Sequence, residues 1–289
     1  FYGHPERKLL IVGITGTNGK TTTMYMLKNI LEEAGKKVGI IGTLGACYSD
    51  VTVSPTLTTP DPVFLFSLLA DMSRLSTEVV VMEVSAHALA LKKESPIVYD
   101  AVVFTNLTQD HLDFFGSMRE YGNAKKSLFD PARNRFSVLN IDDPFAAELT
   151  ELGGTYKTYG LDNPADSFAV IGKESLRGTE VMLNLSDELC NAEITLTGRH
   201  NVYNALAAAT VGQKFGADSK AIARGLKKTQ VNGRLERVAS YRGAEIFVDF
   251  AHTPDGLEKS MRAIKQYCRR KLIVLFGCGG NRDSAKRPI

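Results

Sequence analysis

Cysteine is sparse: Cys47, Cys190, Cys268 and Cys278 are the four in 289 residues, and no two form a C-x-x-C pair or a zinc spacing. That scatter argues against a disulfide framework and a structural zinc site, and reads as reduced thiols in the cytoplasm. Long apolar runs are missing too. None approaches the roughly 20 residues needed to cross a bilayer, and no signal-peptide pattern opens the chain, so no membrane partner is expected. Charge of one sign is not concentrated either. A net charge of +3 falls short of the basic face that nucleic-acid binders carry, which excludes a nucleic-acid partner. Lys36-Lys37, Lys92-Lys93 and Arg269-Arg270-Lys271 flank elements and read as solvated ends. The string N-K-x-D, by which a GTP switch reads guanine, does not occur. Internal repeats and low-complexity segments are also lacking.

What is present is ordinary soluble-protein composition, 44% hydrophobic and 23% charged, in a chain long enough for two domains. Its most informative stretch is GITGTNGKTTT at 13–23, preceded by Leu9-Leu10-Ile11-Val12. A Gly-rich turn between a buried strand and a helix presents backbone N–H groups to phosphates. Lys20 can reach the β/γ-phosphates, and the Thr21 hydroxyl is placed to ligate Mg²⁺. Gly16, Thr17, Asn18, Gly19, Lys20, Thr21 and Thr22 are therefore the expected ATP contacts. The helix follows from Leu27, Ile30, Leu31 and Ala34 at i, i+3, i+4 and i+7, with Gly35 as its stop. The glycine spacing is irregular: Ile14 stands where the usual P-loop has its first glycine. A Gly-rich turn with a chance Gly-Lys-Thr is the competing reading, and the strand–turn–helix context weighs against it.

Up to about residue 150 strands and helices alternate, as in a mostly parallel sheet covered on both faces. Strands are predicted near 9–14, 38–42, 78–84, 100–105 and 136–140. Helices are predicted after Pro62, with Leu65, Leu68, Leu69 and Met72 on one face, and from Met118 to Phe129. Within 155–197, Val181, Leu183 and Leu185, then Ile194 and Leu196, alternate with polar neighbours, which predicts half-exposed antiparallel strands. Helices follow at about Asn201–Phe215, ending at Gly216, and at 219–228. From Arg234 the pattern restarts with a strand at Ile246–Asp249, a helix carrying Leu257, Met261 and Ile264, and a strand at Leu272–Phe276. The fold class is thus α/β: a P-loop-type, mostly parallel sheet flanked by helices, with a small antiparallel part. The start of a Rossmann-like α/β unit follows, and the boundary gives domains 1–233 and 234–289. The lead Phe1–Pro5 enters a core strand almost at once, and the chain stops at Ile289 soon after a strand and a glycine turn. Both ends read as those of a fragment.

Two acidic clusters carry further chemistry. EVVVME (78–83) ends an apolar strand in Glu83, where a nucleotide's Mg²⁺ is usually held beside a P-loop. TNLTQDHLDFFG (105–116) gathers Asp110, His111 and Asp113 at another strand end. Composition alone reads this second segment as a helix start capped by Thr108 or Asp110. Histidine is also an unusual ligand for Mg²⁺.

The blocks GITGTNGKTT (13–22), TLTTPDP (56–62), MEVSAHALAL (82–91), TNLTQDHLD (105–113), NVYNALAAA (201–209), NGRLE (232–236), VDFAHTPDGLEK (248–259) and GCGGNRDSAKRP (277–288) resemble the Mur ligase family, in family order. The resemblance implies ATP-dependent amide formation: a substrate carboxylate is phosphorylated, an amino acid's amine attacks the acyl phosphate, and phosphate leaves. It implies UDP-MurNAc-L-Ala-D-Glu as acceptor, meso-diaminopimelate or L-lysine as the added residue, and a cytoplasmic monomer. It assigns Lys20 and Thr21 to the ATP phosphates and the first Mg²⁺, Glu83 to metal, and His111 to a second metal. Lys125 matches the family's carbamylated lysine, Thr58, Thr59, Ser85 and Lys93 its substrate contacts, and Asn201, Arg234, Asp249 and His252 its reach to ATP from across a cleft. Read without the family, Lys125 is a surface lysine beside Lys126, Asn201 a helix cap and Asp249 a strand-end acid. Ala86, Phe115, Lys93 and Asn281 depart from the family's usual Ser, His, Arg and Asp. Lys93 keeps its charge but loses the bidentate fork of arginine. The family's uridine-gripping N-terminal domain and its amino-acid-selecting C-terminal segment are not expected within these residues. Three other readings stay open: a folylpolyglutamate or cyanophycin synthetase type of ligase, a P-loop switch or motor, and a nucleotide-binding module without turnover.

Overall fold

The computed structural model describes residues 1–54 and 56–277. A 3-10 turn at Pro5–Lys8 leads into β1 (Leu10–Thr15), then α1 (Lys20–Glu33), β2 (Val38–Gly42), β3 (Gly45–Tyr48) and β4 (Val51–Val53). Next come α2 (Pro62–Arg74), β5 (Val79–Glu83), α3 (Ala86–Ala90), β6 (Ala101–Phe104), α4 (Leu112–Phe115) and α5 (Met118–Lys126), which runs on as a 3-10 turn to Phe129. The remainder is β7 (Ser137–Asn140), α6 (Ala146–Thr150), β8 (Tyr156–Gly160), β9 (Ser167–Ser175), β10 (Gly178–Leu185), β11 (Glu188–Ile194), α7 (Arg199–Lys214), α8 (Ser219–Lys228), β12 (Glu236–Tyr241), β13 (Ala244–Val248) and α9 (Pro254–Lys265).

Eleven strands form one sheet in the order β11-β10-β9-β8-β7-β6-β1-β5-β2-β3-β4. Its centre, from β2 through β5, β1, β6, β7 and β8 to β9, is parallel, and both wings are antiparallel. The period of two along each central strand assigns alternate residues to opposite layers. Val12 and Ile14 of β1, with Val79 and Val81 of β5, join α1, α7 and α8 through Leu27, Ile30, Leu206 and Ile222. Ile11, Val80 and Met82 face the other way, onto Leu65, Leu69 and Met72 of α2. Because both faces are covered, these strands read as unbroken apolar runs.

All five parallel strands expected from the sequence form. The antiparallel strands at 178–194 form as well, as an extension of the main sheet. The hairpin β3–β4 and strands β8 and β9 were not expected. After Gly233 come the antiparallel hairpin β12–β13 and α9. The strand expected at Leu272–Phe276 does not form: these residues pair with no described strand, and Ile273 and Leu275 are 86% and 99% exposed. The block at 278–288, Asn281 included, and Cys278 lie outside the described residues.

The irregular glycine spacing has a local explanation. Ile14 and Thr15 still belong to β1 and are fully buried, so the loop proper runs from Gly16 to Gly19. Gly13 is a packing residue, since a Cβ there would lie 2.8 Å from the Tyr99 ring. Gly16 has φ +145, and a Cβ on it would collide with the Thr105 hydroxyl, so the loop's close approach to the end of β6 requires glycine.

Candidate active site

The chain leaves β1 towards β5 on one side and β6 on the other, and the crevice outside the carboxyl ends of such strands is where open α/β sheets take ligands. A cleft of ≈ 980 Å³ lies there. It is lined by Thr17–Thr22, Thr58, Glu83, Ser85, His111 and Asn201, and by Arg234, Asp249 and His252 from beyond the expected boundary. Fourteen of the eighteen site residues expected from the sequence thus meet at one cavity. Gly16, Thr59, Lys93 and Lys125 are not part of its lining.

At the loop, Lys20 curls back and Nζ donates to the carbonyls of Gly16 at 2.8 Å and Thr17 at 2.9 Å. Desolvation of its ammonium lowers its pKa from the usual lysine value. Glu83 opposes that shift, Arg234 adds to it, and Asp110 opposes it. Glu83 is fully buried at the end of β5. It accepts from the Thr21 hydroxyl at 2.9 Å, the Thr43 N–H at 2.9 Å and the Thr43 hydroxyl at 3.0 Å. Thr43 has no sequence signal of its own and was missed. Arg234 donates from Nη2 to the Thr21 hydroxyl at 3.1 Å, with its guanidinium over the Phe250 ring, 4.6 Å from the centroid.

The Glu83 carboxylate and the Thr21 hydroxyl are both hard oxygen donors. Two such groups are the protein's usual share of a Mg²⁺ completed by phosphate oxygens and water, so the site fits that ion. Among the described residues no cluster of three or more His, Cys, Asp or Glu could hold a metal alone.

The 105–113 segment forms the opposite wall. Neither Thr108 nor Asp110 caps a helix. His111 is the N-cap of the short α4 in a left-handed conformation, φ 56, and Ser117 caps α5. Asp110 lies between two imidazoles, 3.3 Å from His111 Nε2 and 3.7 Å from His252 Nε2. Burial holds His111 down at about 4. Asp110 pulls the other way, while His87, Lys20 and Lys125 push it lower. His111 is therefore neutral near pH 7, with a nitrogen lone pair free to act as a ligand.

Lys125 is not a surface lysine. It is 1% exposed, and Nζ sits 4.2 Å over the Tyr121 ring. Burial first, then the positive charge of Lys20, take its pKa well below the lysine value, against the pull of Asp110. Asn201 is not a cap either: α7 starts at Arg199 behind Gly198. The Asn201 side chain is buried, donating to the Thr197 carbonyl at 2.8 Å and accepting from Asn204 Nδ2 at 3.1 Å. Asp249 does lie just past a strand and ties the turn together, accepting from the N–H of Leu235 at 2.7 Å and of Ala251 at 2.9 Å. At the far end, the Thr59 hydroxyl donates to the Glu83 carbonyl at 2.9 Å and accepts from Ser85 N–H at 3.0 Å, while Thr58 meets Thr43 at 3.2 Å. Lys93 lies outside this cluster, paired with Asp61 at 2.6 Å.

Residues 14–212 match the Mur ligase middle domain, and residues 233–289 match the Mur ligase, glutamate ligase domain. A UDP-N-acetylmuramoyl-L-alanyl-D-glutamate--2,6-diaminopimelate ligase of Caldanaerobacter subterraneus subsp. tengcongensis is 42% identical over 290 residues. That match takes in 100% of this chain and 60% of the relative, so the chain spans less than two thirds of that protein's length. A solved structure of a UDP-N-acetylmuramoyl-L-alanyl-D-glutamate--2,6-diaminopimelate ligase has a TM-score of 0.79 at 29% identity, over 97% of this chain and 58% of that one. A Mycobacterium tuberculosis folylpolyglutamate synthase complexed with ADP shares the fold, with a TM-score of 0.77 at 18% identity over 91% of this chain and 67% of that one.

Proposed function

The chain belongs to the Mur ligase family, and from that premise we propose that it is the ATP-binding part of a ligase joining meso-diaminopimelate to the D-Glu carboxylate of UDP-MurNAc-L-Ala-D-Glu. The proposal divides the chain into domains 1–233 and 234–289, and sets it in the cytoplasm as a monomer. No helix among the described residues is long and apolar enough to cross a membrane. The observation that carries the reading is the convergence of three groups on one cleft: the phosphate loop, Glu83, and the Arg234–His252 segment.

A carboxylate is a poor electrophile near neutral pH, and phosphorylation gives it a leaving group. The protein's task is to gather crowded anions and keep water from the activated carbonyl. On this reading Lys20 uncurls from the loop carbonyls to meet the β/γ-phosphates. Asn201, Arg234 and Asp249 hold the rest of the nucleotide, while Thr58, Thr59 and Ser85 orient the peptide end of the acceptor; Lys93 would have to leave Asp61 to join them. Bound Mg²⁺, held by Thr21 and Glu83, would neutralise phosphate charge, and neutral His111 is the candidate ligand for a second ion. His252 and Lys125 flank the transferring group.

The test is ADP release by the full-length protein with UDP-MurNAc-L-Ala-D-Glu, comparing meso-diaminopimelate with L-lysine. Release dependent on the acceptor and on diaminopimelate is expected, and Lys20→Ala abolishes it. Release with lysine alone overturns the choice of amino acid. No release with either removes the ligase reading, and the same protein binding ATP with no turnover would favour a nucleotide-binding module.

A further inference from the structure

The segment beyond Gly233 holds the phosphate loop and the first turn of α1 at two points. One is Arg234 on Thr21. The other is Asn18, whose bonds run in three directions. Its side-chain Nδ2 donates to Asp255 Oδ2 at 2.9 Å and more weakly to the Thr108 hydroxyl at 3.4 Å, while its Oδ1 accepts from the Thr253 hydroxyl at 3.2 Å. Thr253 is the N-cap of α9, and the same hydroxyl accepts from the Gly256 N–H at 3.0 Å. The carboxamide thus engages the first turn of α9 through both its donor and its acceptor. From the other side the Asn18 backbone is fixed to the end of β6. Its N–H donates to Asn106 Oδ1 at 2.9 Å, and its carbonyl accepts from the Thr105 hydroxyl at 2.7 Å and Asn106 Nδ2 at 3.1 Å.

Only an amide side chain meets both α9 partners. Alanine offers neither group, and aspartate loses the donor and sets a second carboxylate against Asp255. Charge neutralisation is not the purpose of the contact, because Lys259 already pairs with Asp255 at 2.9 Å. What the contact supplies is direction. The packing behind it is equally close: a Cβ on Gly198 would lie 2.8 Å from Ala263 Cβ of α9.

We propose that Asn18 is a positioning residue that registers α9 against the phosphate loop through Thr253 and Asp255, and so sets where Arg234, Asp249 and His252 stand over the nucleotide site. Its activity readout rests on the ligase reading of the cleft, so a second readout independent of turnover accompanies it. In the full-length protein without nucleotide, Asn18→Ala and Asp255→Ala each speed hydrogen exchange at the Gly256 and Leu257 amides about tenfold, and amides of β1 and α1 keep their protection, which certifies folding. Combining the two changes adds nothing, as expected for two ends of one contact. In turnover, Asp255→Ala lowers kcat for ADP release and raises the ATP Kd, each about tenfold, and Asp255→Asn, which keeps an acceptor oxygen, restores both. Unchanged exchange in the single variants, or effects that multiply in the double variant, would overturn the proposal. A wild-type protein without ADP release would overturn the ligase reading and leave the exchange result to decide the role of Asn18.

Discussion

Lys125 and Lys126 are neighbours in sequence with opposite fates. Lys126 reaches outward to Glu148 at 3.3 Å, and Lys125 points into the protein beside Tyr121, four residues before it on the same helix face. Adjacency in a helix turns the side chain by roughly 100°, which is why a charged pair hid a buried lysine. A buried amine with a lowered pKa has a larger neutral fraction, and the neutral amine is the form that adds CO₂. The product is a carbamate, with release of one proton, and its negative charge beside Lys20 replaces a repulsion with an attraction. The expected outcome is a carbamate signal from ¹³C-bicarbonate in the wild type that is absent in Lys125→Met. Ligation should be lost in Lys125→Ala and partly restored by a short carboxylate. An intact mass and a ¹³C spectrum showing a bare amine under bicarbonate would count against the carbamate.

Among the elements, α1 and α8 approach closely. A Cβ on Gly225 would lie 2.5 Å from both the Cα and the N of Ile30, which are backbone atoms that cannot swing aside. Gly225→Ala is therefore expected to destabilise the fold by about 1–3 kcal/mol as overpacking, read as a lower urea midpoint at unchanged slope; an unchanged midpoint would show that the two helices can separate freely. Elements of this interior kind were legible in the sequence because burial on both faces leaves an apolar signature. Strands β8 and β9 were not: the apolar Tyr156, Phe168 and Val170 are exposed while the polar Ser167 is fully buried, so polarity does not follow burial along them. The hairpin β3–β4 was missed because Gly45–Tyr48 and Val51–Val53 are too short to carry a pattern. The stretch at Leu272–Phe276 failed in the opposite sense. Its composition is that of a core strand, but pairing is what makes a strand, and composition does not report partners.

For the molecule as a whole, two half-buried histidines contribute to how stability responds to acid. Burial holds His111 and His200 at about 4, against a usual value of 6.5. Between those values the unfolded chain binds protons that the folded chain refuses, so stability falls as pH drops from 6.5 towards 4. Glu33 and Glu78, both held below the usual carboxylate value, extend the loss at lower pH. Asp143, raised by burial, works in the other direction, since its contribution is lost as pH rises through its folded value. Calorimetry is expected to show a lower Tm at pH 5 than at pH 7, with a shallower slope in a His111→Asn, His200→Asn variant; equal Tm values at both pH values would contradict it. Of the cleft itself, the motifs revealed the residues at strand ends, and the long-range partners were out of reach. Thr43 on Glu83, or His252 beside Asp110, depends on distances between segments that no single stretch encodes. The continuous sheet has one more consequence. From β4 to β11, which packs against α8, backbone ladders link every strand to the next, so these regions belong to one stiff platform whose internal spacing is fixed. Bending it would break hydrogen bonds in rows, whereas the link at 230–233 carries no ladder. The loop after β1 and the Glu83 carboxylate at the end of β5 are both carried by that platform, so their spacing is set by the ladder that pairs Ile14 with Glu83.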